Sequence, residues 1–298
     1  MVIVEAYKLR NVSIVEGLTE KIREAAESIS VDELGVSFSG GVDSSILAVS
    51  CRDLGKKVTL ITIGFSSMRD IEISKKVSRK LRLPLLYKVL SLEDLEEGMA
   101  STLKIVKFNR LVLLELAICF YFVFKIASEH GIRTVVSANG LDELFCGYDL
   151  YRRYSSDEKK ATEIMKALIE TARKDKAEID KVAALWNVNY ESPFLSERFV
   201  KFALNIPLRY KISGEDDELR KHVLREAALK IGVPRLAAMR RKKAFQYSSG
   251  IHKAIGKLAR RKGYTKKRAK DLGYSGEIEA YIKAMLIREN ASSFISAE

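Results

Sequence analysis

Four short runs rich in β-branched and other apolar residues are separated by helix-length segments in the first half of the chain. The runs are Gly35–Ser39, Lys57–Phe65, Pro84–Leu90 and Ile132–Ala138, and helical stretches cover Asp43–Leu54, Ile71–Leu83, Leu92–Ile105 and Val112–His130 between them. Connections of that length rule out tight hairpins. They demand parallel strands joined by crossover helices that cover both faces of a sheet. The expected fold class is α/β: a doubly wound parallel sheet of about five strands, followed by a helical C-terminal part.

An amphipathic helix over Leu18–Ile29 precedes the first strand. After Tyr154 the polar stretch SSDEKKAT marks a joint, and the remainder reads as helices with few strand candidates. The expected organisation is an N-terminal extension (1–17), an α/β core (18–154), and a helical part (155–298) that completes the site and ends in a basic tail.

Leu111–Ala127 approaches the length of a membrane span, but it carries Glu115 and Lys125, which are costly at membrane depth, and it sits where a buried crossover helix is expected. No membrane association is therefore expected. Cys51, Cys119 and Cys146 are widely spaced and form no Cys-x-x-Cys pair, so neither a disulfide framework nor a cysteine zinc site is indicated. With no secretory signal evident, a reducing cytoplasm is the expected compartment. His130, His222 and His252 are scattered and suggest no metal cluster.

The formal net charge is +13, and thirteen Lys or Arg residues fall between Arg240 and Lys270 with no acid among them. Such a run suits a polyphosphate or nucleic acid, or it is simply a solvated helical face.

The chemistry gathers where the first strand becomes a helix, in GVSFSGGVDSSILAVS (Gly35–Ser50). A helix N-terminus offers unpaired N–H groups and a partial positive charge, so it attracts anions. Gly40 and Gly41 let the backbone approach a phosphate, and Ser39, Ser44 and Ser45 add hydroxyl donors. No Gly-Lys-Ser/Thr follows and G-x-G-x-x-G is absent, so this is neither a Walker A loop nor a dinucleotide-binding turn. Asp43 would repel a bare phosphate, which points to Mg²⁺ bridging carboxylate and phosphates. A capped Gly-Gly turn without a ligand is the plain alternative.

A second corner, SANGLDELFCGYDLY (Ser137–Tyr151), follows the fourth strand. Ligands in doubly wound sheets bind beyond the carboxyl ends of the strands, where strand order reverses. If the first and fourth strands are neighbours, Asp43 and Asp142 emerge side by side as a hard-oxygen site for Mg²⁺.

SGGVDSS (Ser39–Ser45) resembles the PP-loop of the ATP-pyrophosphatase superfamily, which cleaves ATP between the α- and β-phosphates. GLDELFCGY, together with ESPFLSERFVKFALNIP (Glu191–Pro207) and LREAALKIGVPRLAAMRRKKAFQYSSG (Leu224–Gly250), is similar to the synthetase domain of glutamine-dependent asparagine synthetases, from about Leu18 to Ile255. The resemblance implies ATP and Mg²⁺ as cofactors. Ser39, Gly40, Gly41, Asp43, Ser44 and Ser45 would hold pyrophosphate, and Asp43 and Asp142 the metal. Ser37, Ile63 and Gly64 would line the adenosine, Gly140 would join the nucleotide-binding set, and Lys243 (Lys242 less so) would meet the phosphates as charge develops.

Two departures stand out. The family's N-terminal glutaminase cysteine has no counterpart, since position 2 is Val2 and the loop is reached by residue 39. Ammonia is then expected from solution or from a separate glutaminase subunit, or another nucleophile is used. Asn139 replaces the family's glutamate and cannot accept a proton from an amine, although it can hydrogen-bond a substrate. Ser196 also replaces an acid after Pro-Phe-Leu. The expected activity is that of an ATP-dependent amide-forming ligase acting on a small carboxylate, aspartate most simply. The alternative is a tRNA-modifying adenylating enzyme with Arg240–Lys270 on the RNA.

Overall fold

The computed structural model describes residues 2–65, 69–241 and 249–295 of the chain. Five parallel strands form one sheet in the order β3-β2-β1-β4-β5: β1 (Glu33–Ser37), β2 (Lys57–Phe65), β3 (Leu85–Leu90), β4 (Thr134–Val136) and β5 (Asn189–Glu191). Strand order therefore reverses beside β1, which pairs with both β2 and β4. The expected neighbourhood of the first and fourth strands holds, with Val36 opposite Val136.

Alternation along the strands divides the core into two layers. Val36, Val58, Leu60 and Val136 face one cluster, which is closed by α1 (Val2–Glu27), α2 (Val42–Asp53), α8 (Glu197–Leu204) and α9 (His222–Lys230). Ile61, Ile63, Val135 and Tyr190 face the other, closed by α4 (Leu92–Leu103), α5 (Leu111–Glu129) and α11 (Ile251–Arg261). Between these lie α3 (Arg69–Leu81), α6 (Leu141–Leu144), α7 (Glu158–Leu185) and α10 (Arg235–Ala238). The chain closes with α12 (Lys266–Asp271) and α13 (Glu277–Ile295).

Several boundaries differ from expectation. The first helix starts at Val2, so residues 2–17 continue it instead of forming a separate extension. No proline interrupts that stretch, and Gly17 admits the Phe202 ring of α8, whose atoms would lie 3.4 Å from an added Cβ. β1 begins two residues early, and Phe38 still donates to the Ile61 carbonyl (2.8 Å) before Ser39 leaves the ladder. The polar joint after Tyr154 is a helix start: Asp157 caps α7, accepting from the Lys160 N–H at 2.9 Å. The fifth strand comes from within the expected helical part.

The apolar helix α5 is the buried crossover. Its Glu115 is 1% exposed and bonds His252 Nδ1 at 2.6 Å, and Lys125 pairs with Glu97 at 3.0 Å. Burial raises the Glu115 pKa, an effect that the His252 hydrogen bond offsets only in part.

Candidate active site

The corner between β1 and α2 is a closed set of hydroxyls around a bent backbone. The Ser39 N–H donates to Ser44 Oγ (3.2 Å), the Gly41 N–H donates to Ser39 Oγ (3.4 Å), and the two hydroxyl oxygens lie 3.3 Å apart. Gly40 has φ +66°, and a Cβ there would sit 3.2 Å from the backbone nitrogen of Ser74, so conformation and packing both require glycine. Ser37, Ser39, Asp43 and Ser44 line a cavity of about 90 Å³, together with Ser137 and Asn139 from the end of β4.

The other expected nucleotide-binding residues are placed differently. Ser45 is fully buried and its hydroxyl has no hydrogen-bond partner, and Ile63 is buried in the sheet. Gly64 packs against Ile71 and the Ser249 carbonyl. None of the three is in the cavity wall. Gly140 is a backbone turn, with φ +103° and a would-be Cβ 3.0 Å from the Phe194 carbonyl oxygen.

Asp43 and Asp142 meet on one cation that the sequence did not flag. Lys221 Nζ lies 2.6 Å from Asp43 Oδ2 and 2.5 Å from Asp142 Oδ1, and its side chain is 1% exposed. Burial works to lower the pKa of this ammonium, but the two carboxylates outweigh it and the net shift is upward. Asp43 Oδ1 is buried with no hydrogen-bond partner. Among the described residues no group of three or more His, Cys, Asp or Glu side chains could cage a metal. Two carboxylates on one corner, one with an orphaned oxygen, fit Mg²⁺, which binds through one or two carboxylates plus substrate phosphates.

A strained loop presents Lys221. Arg220 and Lys221 are both left-handed, with φ 49° and 60°, a conformation rare outside glycine. Asp217 holds the turn by accepting from the N–H groups of Ser213 (2.9 Å), Leu219 (3.0 Å) and Arg220 (2.9 Å) and bonding His222 Nε2 (2.6 Å). Arg225 donates to the carbonyls of Arg220 (2.7 Å), Leu219 (2.7 Å), Ala238 (2.5 Å) and Arg240 (2.9 Å). Arg240 in turn donates to the Ser39 carbonyl at 2.8 Å, so the loop braces the glycine corner as well.

Burial pushes the Asp217 pKa up, but the Arg220 and Ser213 N–H groups and His222 hold it well below the usual carboxylate range. Its stabilisation is therefore complete above the unfolded aspartate value of about 3.9 and is lost as pH falls from there toward the depressed folded value. Asp217→Asn is expected to remove this acid-dependent part, seen as a flatter urea midpoint between roughly pH 5 and pH 2.

Gly147 makes room for the charge cluster. A Cβ there would lie 2.0 Å from Asp142 Oδ1 and 2.7 Å from Lys221 Cε. Gly147→Ala is expected to cost about 1–3 kcal/mol in a denaturant titration and to displace Asp142.

The asparagine synthase family profile matches residues 18–179 and 162–289 of this sequence. The chain belongs to the asparagine synthase family. It is 30% identical over 271 residues to a putative glutamine-hydrolysing asparagine synthetase 1 of Methanocaldococcus jannaschii, which covers 80% of this chain and 50% of that protein. It is 22% identical over 257 residues to the glutamine-hydrolysing asparagine synthetase B of Escherichia coli, covering 81% of this chain and 46% of that one. The chain thus spans about half the length of these relatives. A solved NMN synthetase from Francisella tularensis aligns over 84% of this chain and 93% of its own, with a TM-score of 0.34 and 11% identity, too low a similarity to carry an argument.

Within this asparagine synthase-family site, Asn139 is fixed by its neighbours. Its Nδ2 donates to the Tyr190 hydroxyl (2.9 Å), which bonds Ser137 Oγ (2.7 Å), itself 3.1 Å from Ser192 Oγ. One amide N–H is committed to Tyr190, which orients the side chain so that its oxygen is the acceptor. Asn139 and Asp142 also border a second pocket of about 300 Å³, whose wall continues through Glu143 and Tyr148. The Tyr148 hydroxyl donates to Glu143 Oε1 at 2.6 Å, and burial first, then the nearby carboxylates, raise its pKa well above the ordinary phenol value. Ser196 is exposed at the start of α8 and is not in the wall of either pocket.

Lys242 and Lys243 lie outside the described residues. Of the basic run, Arg260 pairs with Glu277 (2.9 Å), Lys262 with Glu96 (2.6 Å) and Arg261 with Glu93 (3.9 Å), while Lys253, Lys257, Lys266, Lys267 and Lys270 are exposed on α11 and α12.

Proposed function

We propose that the chain is an ATP-dependent ligase that adenylates a small carboxylate and transfers the acyl group to an amine. The observation that carries this reading is the meeting of Asp43 and Asp142 over the glycine corner, held by Lys221. In the proposed reaction a substrate carboxylate oxygen attacks the α-phosphorus of ATP, the bond to the β-phosphate oxygen breaks, and pyrophosphate leaves. An amine then attacks the acyl carbon, and AMP departs with the electron pair.

Asp43 and Asp142 would hold Mg²⁺, which supplies charge neutralisation on the phosphates. Ser39 and Ser44 would donate to pyrophosphate oxygens, and Lys221 would keep both carboxylates in register. Ser37 lies at the carboxyl end of β1, where the adenosine would enter. Asn139 would accept a hydrogen bond from the incoming amine but not its proton, so that proton would leave by another base. The amine is ammonia from solution, ammonia from a separate glutaminase subunit, or an organic amine.

ATP–pyrophosphate exchange with Mg²⁺ and a panel of acids tests the reading. Label is expected to enter ATP only when an acid is present. Production of ADP and phosphate, or exchange independent of acid, would sink it.

A second reading, adenylation of tRNA, is favoured by the position of α11. Its start packs on the end of β2, where the Phe65 N–H donates to the Ser249 carbonyl at 3.2 Å, and Lys253, Lys257 and Arg261 recur along its exposed side. RNA affinity falling steeply with salt would support it, and no RNA binding at low salt would remove it.

A further inference from the structure

An amine that attacks an acyl-adenylate must lose a proton as the C–N bond forms, and the Asn139 amide cannot take it. Among the described residues, the pocket wall that holds Asn139 includes three carboxylates, Asp142, Glu143 and Asp175. Position decides among them. Asp142 lies on the Lys221 ammonium at 2.5 Å, where it would hold the metal. Asp175 stands on α7, with its two oxygens 2.6 and 2.8 Å from Arg110 Nη2. Glu143 folds back along the chain, and its Oε2 accepts from the Gly140 N–H at 3.1 Å.

That contact fixes where the carboxylate is. Gly140 directly follows Asn139, so the Glu143 carboxylate is held against the peptide group that joins the two. The turn that permits it is left-handed at Gly140, with φ +103°. Tyr148 sets the other oxygen, its hydroxyl donating to Glu143 Oε1 at 2.6 Å. Burial, and then Glu143 and Asp142, raise the phenol pKa well above its ordinary value, so Tyr148 stays a donor near neutrality. A carboxylate has about four acceptor sites, so accepting these two bonds is compatible with taking up a proton. Capping of the four-residue helix α6 accounts for the Gly140 bond alone. It does not account for Glu143 and Tyr148 standing together beside Asn139 in the wall of a pocket of about 300 Å³.

Resting on the adenylating reading above, we infer that Glu143 is the base of the second step. The amine nitrogen bonds to the acyl carbon, and the bond from that carbon to the phosphate oxygen of AMP breaks. AMP leaves with the electron pair, and the proton shed by nitrogen passes to the Glu143 carboxylate, which later returns it to water. Asn139 accepts a hydrogen bond from another N–H of the same amine and orients it. The basic group that Asn139 cannot provide thus comes from four residues further along the chain. Adenylation itself involves no amine and makes no use of this base.

The test separates the two steps in the full chain with Mg²⁺. ATP–pyrophosphate exchange without an amine reads adenylation, and amide formation from ammonium chloride reads transfer. Aspartate, glutamate, propionate and butyrate are compared, and the acid giving the fastest exchange is carried forward. Glu143→Gln preserves size and an acceptor oxygen for the cap, and is expected to slow amide formation at least about a hundredfold more than it slows exchange. Hydroxylamine is a weakly basic amine whose adduct gives its proton to water readily, so hydroxamate formation should suffer at least about tenfold less than amide formation. Formate added to Glu143→Ala should restore part of the amide formation, which a merely structural residue would not allow. Equal effects of Glu143→Gln on exchange, hydroxamate and amide formation, or no effect on any of them, would overturn the role of Glu143 and leave adenylation standing. Exchange with none of the four acids in the unaltered protein would overturn the adenylating reading, and this inference with it.

Discussion

Asp43→Asn is expected to reduce acid-dependent pyrophosphate release at least a hundredfold, the scale on which removal of one transition-state electrostatic contact acts. The substitution preserves size and still lets an amide oxygen face Lys221, so the β1–α2 corner keeps its shape. What changes is charge. With Asp43 neutral, one of the two carboxylates that would attract Mg²⁺ has lost its charge. Pyrophosphate release measured at saturating ATP separates this from weaker nucleotide binding, and a rate equal to that of the unaltered protein would refute the assigned role of Asp43.

Lys221→Met is expected to destabilise the fold by about 3–5 kcal/mol, because it leaves two carboxylates facing each other without their shared cation. The loss should grow with pH: in acid one carboxylate of the variant takes up a proton and the repulsion is relieved, whereas near neutrality both are ionised. In the unaltered protein the raised Lys221 pKa means that its stabilisation is complete below the unfolded lysine value of about 10.4 and is lost only as pH rises through the folded value. Urea titrations across this range would show the two opposite trends. Added Mg²⁺ should recover more stability in Lys221→Met than in the parent, since it would take the place of the lost ammonium between the two aspartates. A variant as stable as the parent at neutral pH would mean that Asp43 and Asp142 do not share a site.

The parts legible in the sequence are those written in local pattern. The β-branched runs specified the parallel strands, and Ser39–Ser45 announced an anion corner because glycines and hydroxyls at a strand-to-helix turn have few other uses. Asp142 was legible once the first and fourth strands were assumed to be neighbours. Lys221 was not legible, because its partner Asp43 is 178 residues away and its neighbours Arg220 and His222 make it look like any basic surface stretch. Its left-handed backbone also defeats the habit of assigning such turns to glycine, and only the bonds from Asp217 and Arg225 explain how it is held. Gly147 was visible as part of a motif, but the need for it comes from the Asp142–Lys221 contact. β5 escaped notice because three residues, two of them polar, carry too little alternation to mark a strand. α1 was truncated at Leu18 because hydrophobic patterning is weak upstream, although nothing there stops a helix.

The brace from Arg240 to the Ser39 carbonyl, like the reach of Lys221, has a bearing on how the protein can be divided. A fragment cut after residue 154 would hold the glycine turn and both aspartates yet lack the positive charge that lets those acids stand together and the strand that seals the sheet edge. Supplying 155–298 as a separate polypeptide should therefore restore nucleotide binding by complementation, and the two halves should associate more tightly at neutral pH than in acid.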